Sequence, residues 1–304
     1  MDLSHLPIDH FAKADQFTRI LYNDLYPSIT PSSEELSQKG KIVLITGASS
    51  GIGRYGIALS FAKAGASVLI LAGRNRQDLQ AAATEIQLVA PAILIDIRAV
   101  DISSEAEVRD TFNDLKSKYP RIDILVNNAG AGGTSLPIVE IDAGKWWHNF
   151  EVNVKGTFLI TQNFLRLNGK DSNVTIINVT SAAALNSFPS LSSYSLSKLC
   201  QIRLQDFVRA ENPSVQTFSL HPGIVMTRMT PPFFKRFSRD TFDLVGGVTV
   251  WLASKQAGFM NGRYMSVNWS VDELIERKDE IVSNGLLEVK LQGIFGGSGR
   301  FDSL

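Results

Sequence analysis

The stretch KIVLITGASSGIG, Lys41 to Gly53, restricts the possible folds of this chain more than any other. A short apolar run leads directly into a glycine-rich turn and then into a helix candidate, Ile52 to Ala64. Gly47, Gly51 and Gly53 stand where side chains would keep a pyrophosphate away from the backbone and from the free N–H groups at the helix start. Ser49, Ser50 and Ile52 complete the turn. The pattern is TGxxxGxG, with a longer first gap than GxGxxG. Glycines alone would also serve a tight connection. Their position after a strand and before a helix favours the anion site.

Downstream the pattern alternates. Strand candidates are Ile42–Thr46, Val68–Leu71, Ala92–Val100, Ile122–Val126, Val174–Val179, Val215–Leu220 and Tyr264–Val267. Helix candidates between them are Ile52–Ala64, Arg76–Val89, Ser104–Lys118, Ala143–Arg166 and Ser193–Glu211. Strands alternating with helices imply a parallel sheet covered on both faces, and right-handed crossovers wind it in two directions. The expected fold is therefore an α/β Rossmann-type doubly wound sheet of about seven strands. Residues 40–269 would form this single domain. Residues 1–39, polar and punctuated by Pro27 and Pro31, would be an extension lying over the domain or against a partner subunit. Residues 270–304 would append a charged amphipathic helix (VDELIERKDEIVSNGLLEVKL) and an apolar stretch.

A second signal lies in SSYSLSKLC, where Tyr194 and Lys198 are one helical turn apart, and Ser181 precedes Tyr194 by thirteen residues. Residues i and i+4 share a helix face, so an ammonium there would lower the phenol's pKa towards a useful acid. Ser181, at a strand end, would donate to the same substrate oxygen. YxxxK alone is weak, because surface tyrosines and lysines often fall at this spacing.

Charge narrows the partners. The 30 basic and 30 acidic side chains cancel, so no nucleic-acid surface is indicated. FFKRFSR, Phe233 to Arg239, is basic and aromatic but flanked by neutral sequence, and reads as a mobile lid. The single Cys200 excludes an intrachain disulfide and suits a reducing compartment. His5, His10, His148 and His221 lack ligand spacing, so no metal is expected. MDLSHLPIDHFAKAD carries charges where a signal peptide needs an apolar core, and no long apolar run occurs. The expectation is a cytoplasmic protein with no membrane partner.

TGASSGIG, Asp101 in AVDIS, NNAG (127–130), Asn153 in EVNVKG, Ser181, YSLSK and HPGIVMT (221–227) together resemble the short-chain dehydrogenase/reductase superfamily, over roughly residues 40–269. The flanks FTRILYNDLYPSITP and WSVDELIERKDEIV resemble fungal members of similar length, many associated with secondary metabolism. The resemblance implies that Tyr194 exchanges a proton with the substrate oxygen, Lys198 lowers its pKa and holds the nicotinamide ribose, and Ser181 polarises the carbonyl. Asn153 would anchor a proton-relaying water, or else bend its helix. Asp101 would accept from adenine beside Ile102, or cap the next helix. Asn128, Ala129 and Gly130 would pass close to ribose, while Asn127 ties adjacent strands. Pro222 and Gly223 would turn Val225 and Thr227 towards the nicotinamide half.

NADP(H) is favoured over NAD(H). The second strand ends LILAGRN, with Ala72 or Gly73 where an NAD enzyme places a carboxylate, and Arg74 follows to meet a 2′-phosphate. Ser50 stands where NADP-preferring relatives carry a basic residue, and Arg54 lies just beyond it. The aromatics of RMTPPFFKRFSRDTF, Arg228 to Phe242, and of Phe188 suggest a small, largely apolar carbonyl or alcohol substrate. The expected activity interconverts a ketone and a secondary alcohol. The alternatives are an isomerase, cyclase or dehydratase without net hydride transfer, and a non-catalytic dinucleotide-binding protein. A homodimer or homotetramer is expected, with Trp146 and Trp147 as core or interface anchors.

Overall fold

A computed structural model describes residues 3–292. Seven parallel strands form one sheet, ordered β3-β2-β1-β4-β5-β6-β7. They are β1 Ile42–Thr46, β2 Val68–Gly73, β3 Leu94–Ala99, β4 Ile124–Asn127, β5 Thr175–Val179, β6 Gln216–His221 and β7 Arg263–Ser266. The strand order reverses between β1 and β4, so the loops leaving their C-terminal ends part and open a crevice. Successive residues of β1 divide between two cores. Val43 and Ile45 face one and Leu44 the other, as expected of a strand buried on both faces.

Side chains sew the reversal point together. The Thr46 hydroxyl accepts from the N–H groups of Asn128 and Ala129, both at 3.0 Å. Asn128 donates back to the carbonyls of Thr46 and Gly47 at 2.9 and 3.2 Å. Asn127 donates to Asn178 at 2.9 Å and so ties β4 to β5.

The helices are α1 His10–Ala14, α2 Leu59–Lys63, α3 Arg76–Val89, α4 Glu105–Lys118, α5 Ala143–Phe150, α6 Thr157–Asn168, α7 Ser192–Glu211, α8 Phe242–Leu252, α9 Val271–Glu276 and α10 Lys278–Ser283. Two expected helices are not uniform. Ile52–Ala58 runs as wide π turns before α2, and Glu151–Gly156 does the same between α5 and α6. The second widening holds Asn153, whose side chain is drawn out of the helix to the backbone of Ala131. The expected C-terminal helix also splits. Arg277, at φ −95° and ψ 11°, leaves helical geometry between α9 and α10.

The N-terminal extension lies on its own chain and enters its core. Tyr26, Ile29 and Leu36 are buried. The Glu273 carboxylate accepts from the N–H groups of Arg19 and Ile20 at 2.8 and 2.9 Å. Tyr264 donates to the Asp15 carboxylate at 2.9 Å, and Trp269 Nε1 donates to the Asp15 carbonyl at 2.6 Å. Among the described residues no helix is long and apolar enough to cross a membrane.

Candidate active site

A cleft of about 740 Å³ opens at the C-terminal ends of the strands. Gly47, Ser49, Ser50, Gly51 and Ile52 line it from the turn after β1, Arg74 from the end of β2, and Ile102 from beyond β3. Asn128, Ala129 and Gly130 follow β4, and Pro222, Gly223, Val225 and Thr227 follow β6. Ser181, Tyr194 and Lys198 face the same space. Residues scattered over most of the chain therefore converge.

The turn is shaped as a cradle. A Cβ on Gly47 (φ +67°) would stand 2.8 Å from Ala129 Cα, which would close the approach between the β1 and β4 loops. One on Gly130 would stand 3.2 Å from Asn153 Oδ1 and 3.4 Å from Lys198 Nζ. Backbone and the start of a helix thus meet an open cleft, and the residues present suit a pyrophosphate-bearing cofactor.

Two predicted contacts do not face that cleft. Gly53 is buried, and its Cβ would fall 2.4 Å from the Gly47 carbonyl, so its glycine serves packing inside the turn. The Asp101 carboxylate accepts from the N–H and hydroxyl of Ser103 at 2.9 and 2.7 Å, a local turn, and Ser104 caps α4. Asp101 thus takes part in the turn that leads into α4, and Val100 and Ile102 on either side line the cleft. β2 ends at Gly73, so Arg74 is the first residue beyond it. Arg54 turns away to Glu85, at 2.5 and 2.9 Å.

Helix α7 presents Tyr194 and Lys198 and is docked by its serines. Ser197 accepts from Asn153 Nδ2 at 2.9 Å and donates to the Tyr194 carbonyl at 2.8 Å. Ser192 accepts from Trp146 Nε1 at 3.1 Å, and Ser193 donates to the Trp146 carbonyl. Ser181 is fixed at the end of β5, where its hydroxyl accepts from the Ala183 N–H at 3.2 Å. Trp147 is exposed and stacks with Phe150.

The side chain of Asn153 makes three hydrogen bonds. It accepts from Ala131 N at 2.8 Å and donates to Ala131 O at 3.0 Å and to Ser197. Its main-chain carbonyl accepts from Gln201 Nε2 at 2.8 Å. Gln201 also donates to the Thr157 hydroxyl at 2.7 Å and accepts from Lys198 Nζ at 3.0 Å. Asn153 thus sits in the widened turn, and a glutamine bridges it to the lysine. Sequence reading overlooked Gln201. The available signal was a polar residue three positions beyond Lys198 on one helix face.

The charge balance also differs from expectation. Burial pushes the Tyr194 phenol up, opposed by the Ser181 hydroxyl. Burial pulls Lys198 down to about 7. Lys198 Nζ is directed at the Val179 carbonyl, 2.8 Å away, and at Gln201 rather than at the phenol oxygen. Desolvation is thus the larger influence on both groups. His221 is buried and held neutral, its pKa lowered to about 4 by desolvation.

The other wall is apolar. Phe188 and Leu191 face the cleft from the segment between Ser181 and Tyr194, and Phe234 from a 3₁₀ turn, Pro232–Phe237. Phe11, from α1, joins them and was not anticipated.

Comparison with known proteins gives the family and the fold. The profile of the short chain dehydrogenase family matches residues 41–236. "Short chain dehydrogenase mpl6" of Monascus purpureus is 38% identical over 280 residues, covering 89% of this chain and 94% of its own. "Short chain dehydrogenase pigC" of Monascus ruber is 35% identical over 286 residues, covering 90% and 93%. Among solved structures, a short chain dehydrogenase from Salmonella enterica serovar Typhi superimposes with a TM-score of 0.70 at 26% identity, covering 80% of this chain and 99% of its own. One from Shigella flexneri, complexed with NADP, shares the fold at a TM-score of 0.70 and 24% identity, covering 77% and 99%. The chain belongs to the short chain dehydrogenase family, whose members bind a nicotinamide dinucleotide.

Proposed function

We propose that this protein is an NADP(H)-dependent oxidoreductase that interconverts a ketone and a secondary alcohol on a small, largely apolar molecule. The observation that carries the reading is one cleft joining the glycine-rich turn to Ser181, Tyr194 and Lys198. The nicotinamide would supply the hydride. Tyr194 Oη would hold the proton that the substrate oxygen takes up, and Ser181 Oγ would donate to the same oxygen as charge develops. Lys198, buried beside them, would hold the ribose and stabilise phenolate. Asn153 would act through structure, fixing Ala131 and Ser197.

NADP(H) is preferred in this reading because β2 ends without a carboxylate and Arg74 lines the cleft beside Ser49 and Ser50. The NADP in the Shigella relative is consistent with that choice. Residues 40–269 would be the catalytic domain, with 1–39 and 270–304 as its extensions. Exposed Trp147, Phe158, Leu196 and Phe207 on α5–α7 would serve a homodimer or homotetramer in the cytoplasm. The fungal sources of the relatives suit a role in secondary metabolism.

The test is NADPH oxidation over a panel of ketones, with Tyr194→Phe beside the parent protein. The parent should turn over at least one ketone. The variant should lose turnover while binding NADPH within about twofold of the parent, because only the transition-state proton is removed. Retained turnover refutes the role of Tyr194. Tight NADPH binding without oxidation of any ketone would favour an isomerase, cyclase or dehydratase.

A further inference from the structure

An apolar wall of the cleft includes a segment that begins more than two hundred residues before the lid it touches. Phe11, on α1, packs edge-on against Phe188, Phe234 and Phe237, with ring centroids at 5.9, 5.1 and 4.8 Å and interplanar angles of 72°, 74° and 84°. Phe188 and Phe234 are themselves edge-on at 6.1 Å and 86°. Phe237 is buried and anchors the cluster, whereas Phe11, Phe188 and Phe234 line the cleft with Met226 and Met229.

The N-terminal segment also holds the lid in place. Arg236 donates to the carbonyls of Leu3 and Ser4. At the other end of the lid, Asn23 donates to Asp240 at 2.7 Å, the Asn23 carbonyl accepts from Thr241 N at 3.0 Å, and Thr241 donates to Asp24 at 2.7 Å. Between these two grips α1 presents Phe11. Asp15, one residue past α1, is pinned by Tyr264 and Trp269. The ring is therefore held from both sides and is not a loose end resting on the surface.

We propose that Phe11 is a specificity-determining residue of the substrate site, closing with Phe188 and Phe234 an aromatic wall that selects planar aromatic ketones over aliphatic ones. Rings set nearly at right angles offer both faces and edges to a flat guest, the two arrangements that aromatic pairs prefer. The two methionines add thioethers, which contact aromatic rings favourably and adapt to their outline. Aliphatic chains would gain burial from such a wall but none of the ring-to-ring term. The inference rests on the oxidoreductase reading for the word ketone, and on the cleft alone for the preference for a flat ring.

The full-length protein tests it with two probes, 2-acetylnaphthalene and 2-decanone. Their binding is measured by calorimetry and their reduction by NADPH oxidation, for the parent, Phe11→Leu and Phe11→Ala. Phe11 is only partly buried, so both variants should fold, and unchanged NADPH binding verifies it. The parent should bind the naphthyl ketone about tenfold tighter than the aliphatic one, and Phe11→Leu should lose most of that preference. Binding of 2-decanone should change less than about twofold in Phe11→Leu, because leucine restores the apolar area. A parent without preference for the naphthyl ketone, or a preference untouched in both variants, overturns the proposal. A preference that depends on Phe11 without any NADPH oxidation would sustain it while defeating the oxidoreductase reading. Turnover of both ketones at a ratio insensitive to Phe11 would do the reverse.

Discussion

Gln201→Leu should lower the pKa of Lys198. The glutamine is 1% exposed and stands in the middle of a buried polar chain. Its Oε1 is one of two acceptors facing Lys198 Nζ, at 3.0 Å, the other being the Val179 carbonyl at 2.8 Å. Desolvation already holds the lysine near 7. A hydrogen bond to a charged group contributes about 1.5–3 kcal/mol, or roughly one to two pK units. Leucine fills the same space without accepting, so Lys198 should titrate about one unit or more below the parent. Lysine labelled with ¹³C at Cε reports this directly by NMR, without requiring a substrate. Gln201→Glu supplies the control. It loses the same donors to Asn153 and Thr157 as the leucine variant, yet places a carboxylate beside the ammonium and should raise the pKa. An unchanged midpoint in both variants, or a parent value near 10.5, would refute the reasoning.

The same shift fixes a sign for stability. A base whose pKa falls on folding resists protonation in the native state, so its contribution rises with pH across the interval from about 7 to the ordinary 10.5. Below that interval the buried ammonium costs its full desolvation. Gln201→Leu should extend the lower edge of the interval downwards. Its two abandoned partners, the Asn153 carbonyl and the Thr157 hydroxyl, should also lower Tm by a few degrees at every pH.

Two further outcomes follow from single side chains. Arg74→Ala should weaken NADPH binding by about 10- to 100-fold and NADH binding by less than about twofold, since a guanidinium–phosphate contact is the interaction removed; equal losses by fluorescence titration would count against a 2′-phosphate contact. Asp15→Asn should raise Tm at about pH 7.5 and change it little at about pH 4, because burial holds this carboxyl up to about 6 and its charge penalises the fold only as pH rises from 3.8 through that value. The amide oxygen can still accept from Tyr264, and an equal shift at both pH values by calorimetry would contradict the assignment.

The features legible in the sequence were those that a short segment specifies by itself. β1 was bounded to the residue, because an apolar run stops at a glycine turn whose shape only glycine permits. α3 was bounded equally well, with Asn75 capping it through the N–H groups of Gln77 and Asp78. Tyr194 and Lys198 were found because helix geometry converts a spacing of four into a shared face. What escaped depends on where distant segments meet. The widening at Asn153 answers to Ala131, twenty-two residues earlier, and no local pattern announces a π turn. The bond from Ser103 to Asp101 depends on the loop's path, which spacing alone does not give. The upward push that burial gives the Tyr194 phenol was hidden for a related reason, because desolvation is set by the whole surrounding fold and not by spacing.

Asp240 shows why the N-terminal extension belongs to the site and not merely to its surroundings. Its buried carboxylate accepts from Asn23 at 2.7 Å, from Asn268 at 2.7 Å and from the Ile224 N–H at 2.6 Å. These donors come from the N-terminal segment, the stretch after β7 and the cofactor-side turn after β6. Burial raises the pKa of this carboxyl, and the donors oppose the rise by satisfying the charged form. The turn closes tightly on it. A Cβ on Gly223, at φ +69°, would stand 2.3 Å from Asp240 Oδ2, so glycine is required there for contact as well as for conformation. The turn bearing Val225 and Thr227 and the lid bearing Phe234 are thereby fastened to one group, which the segment carrying Phe11 also grips. The N-terminal extension, the turn after β6 and the end of the lid therefore share one buried carboxylate on the lid side of the cleft.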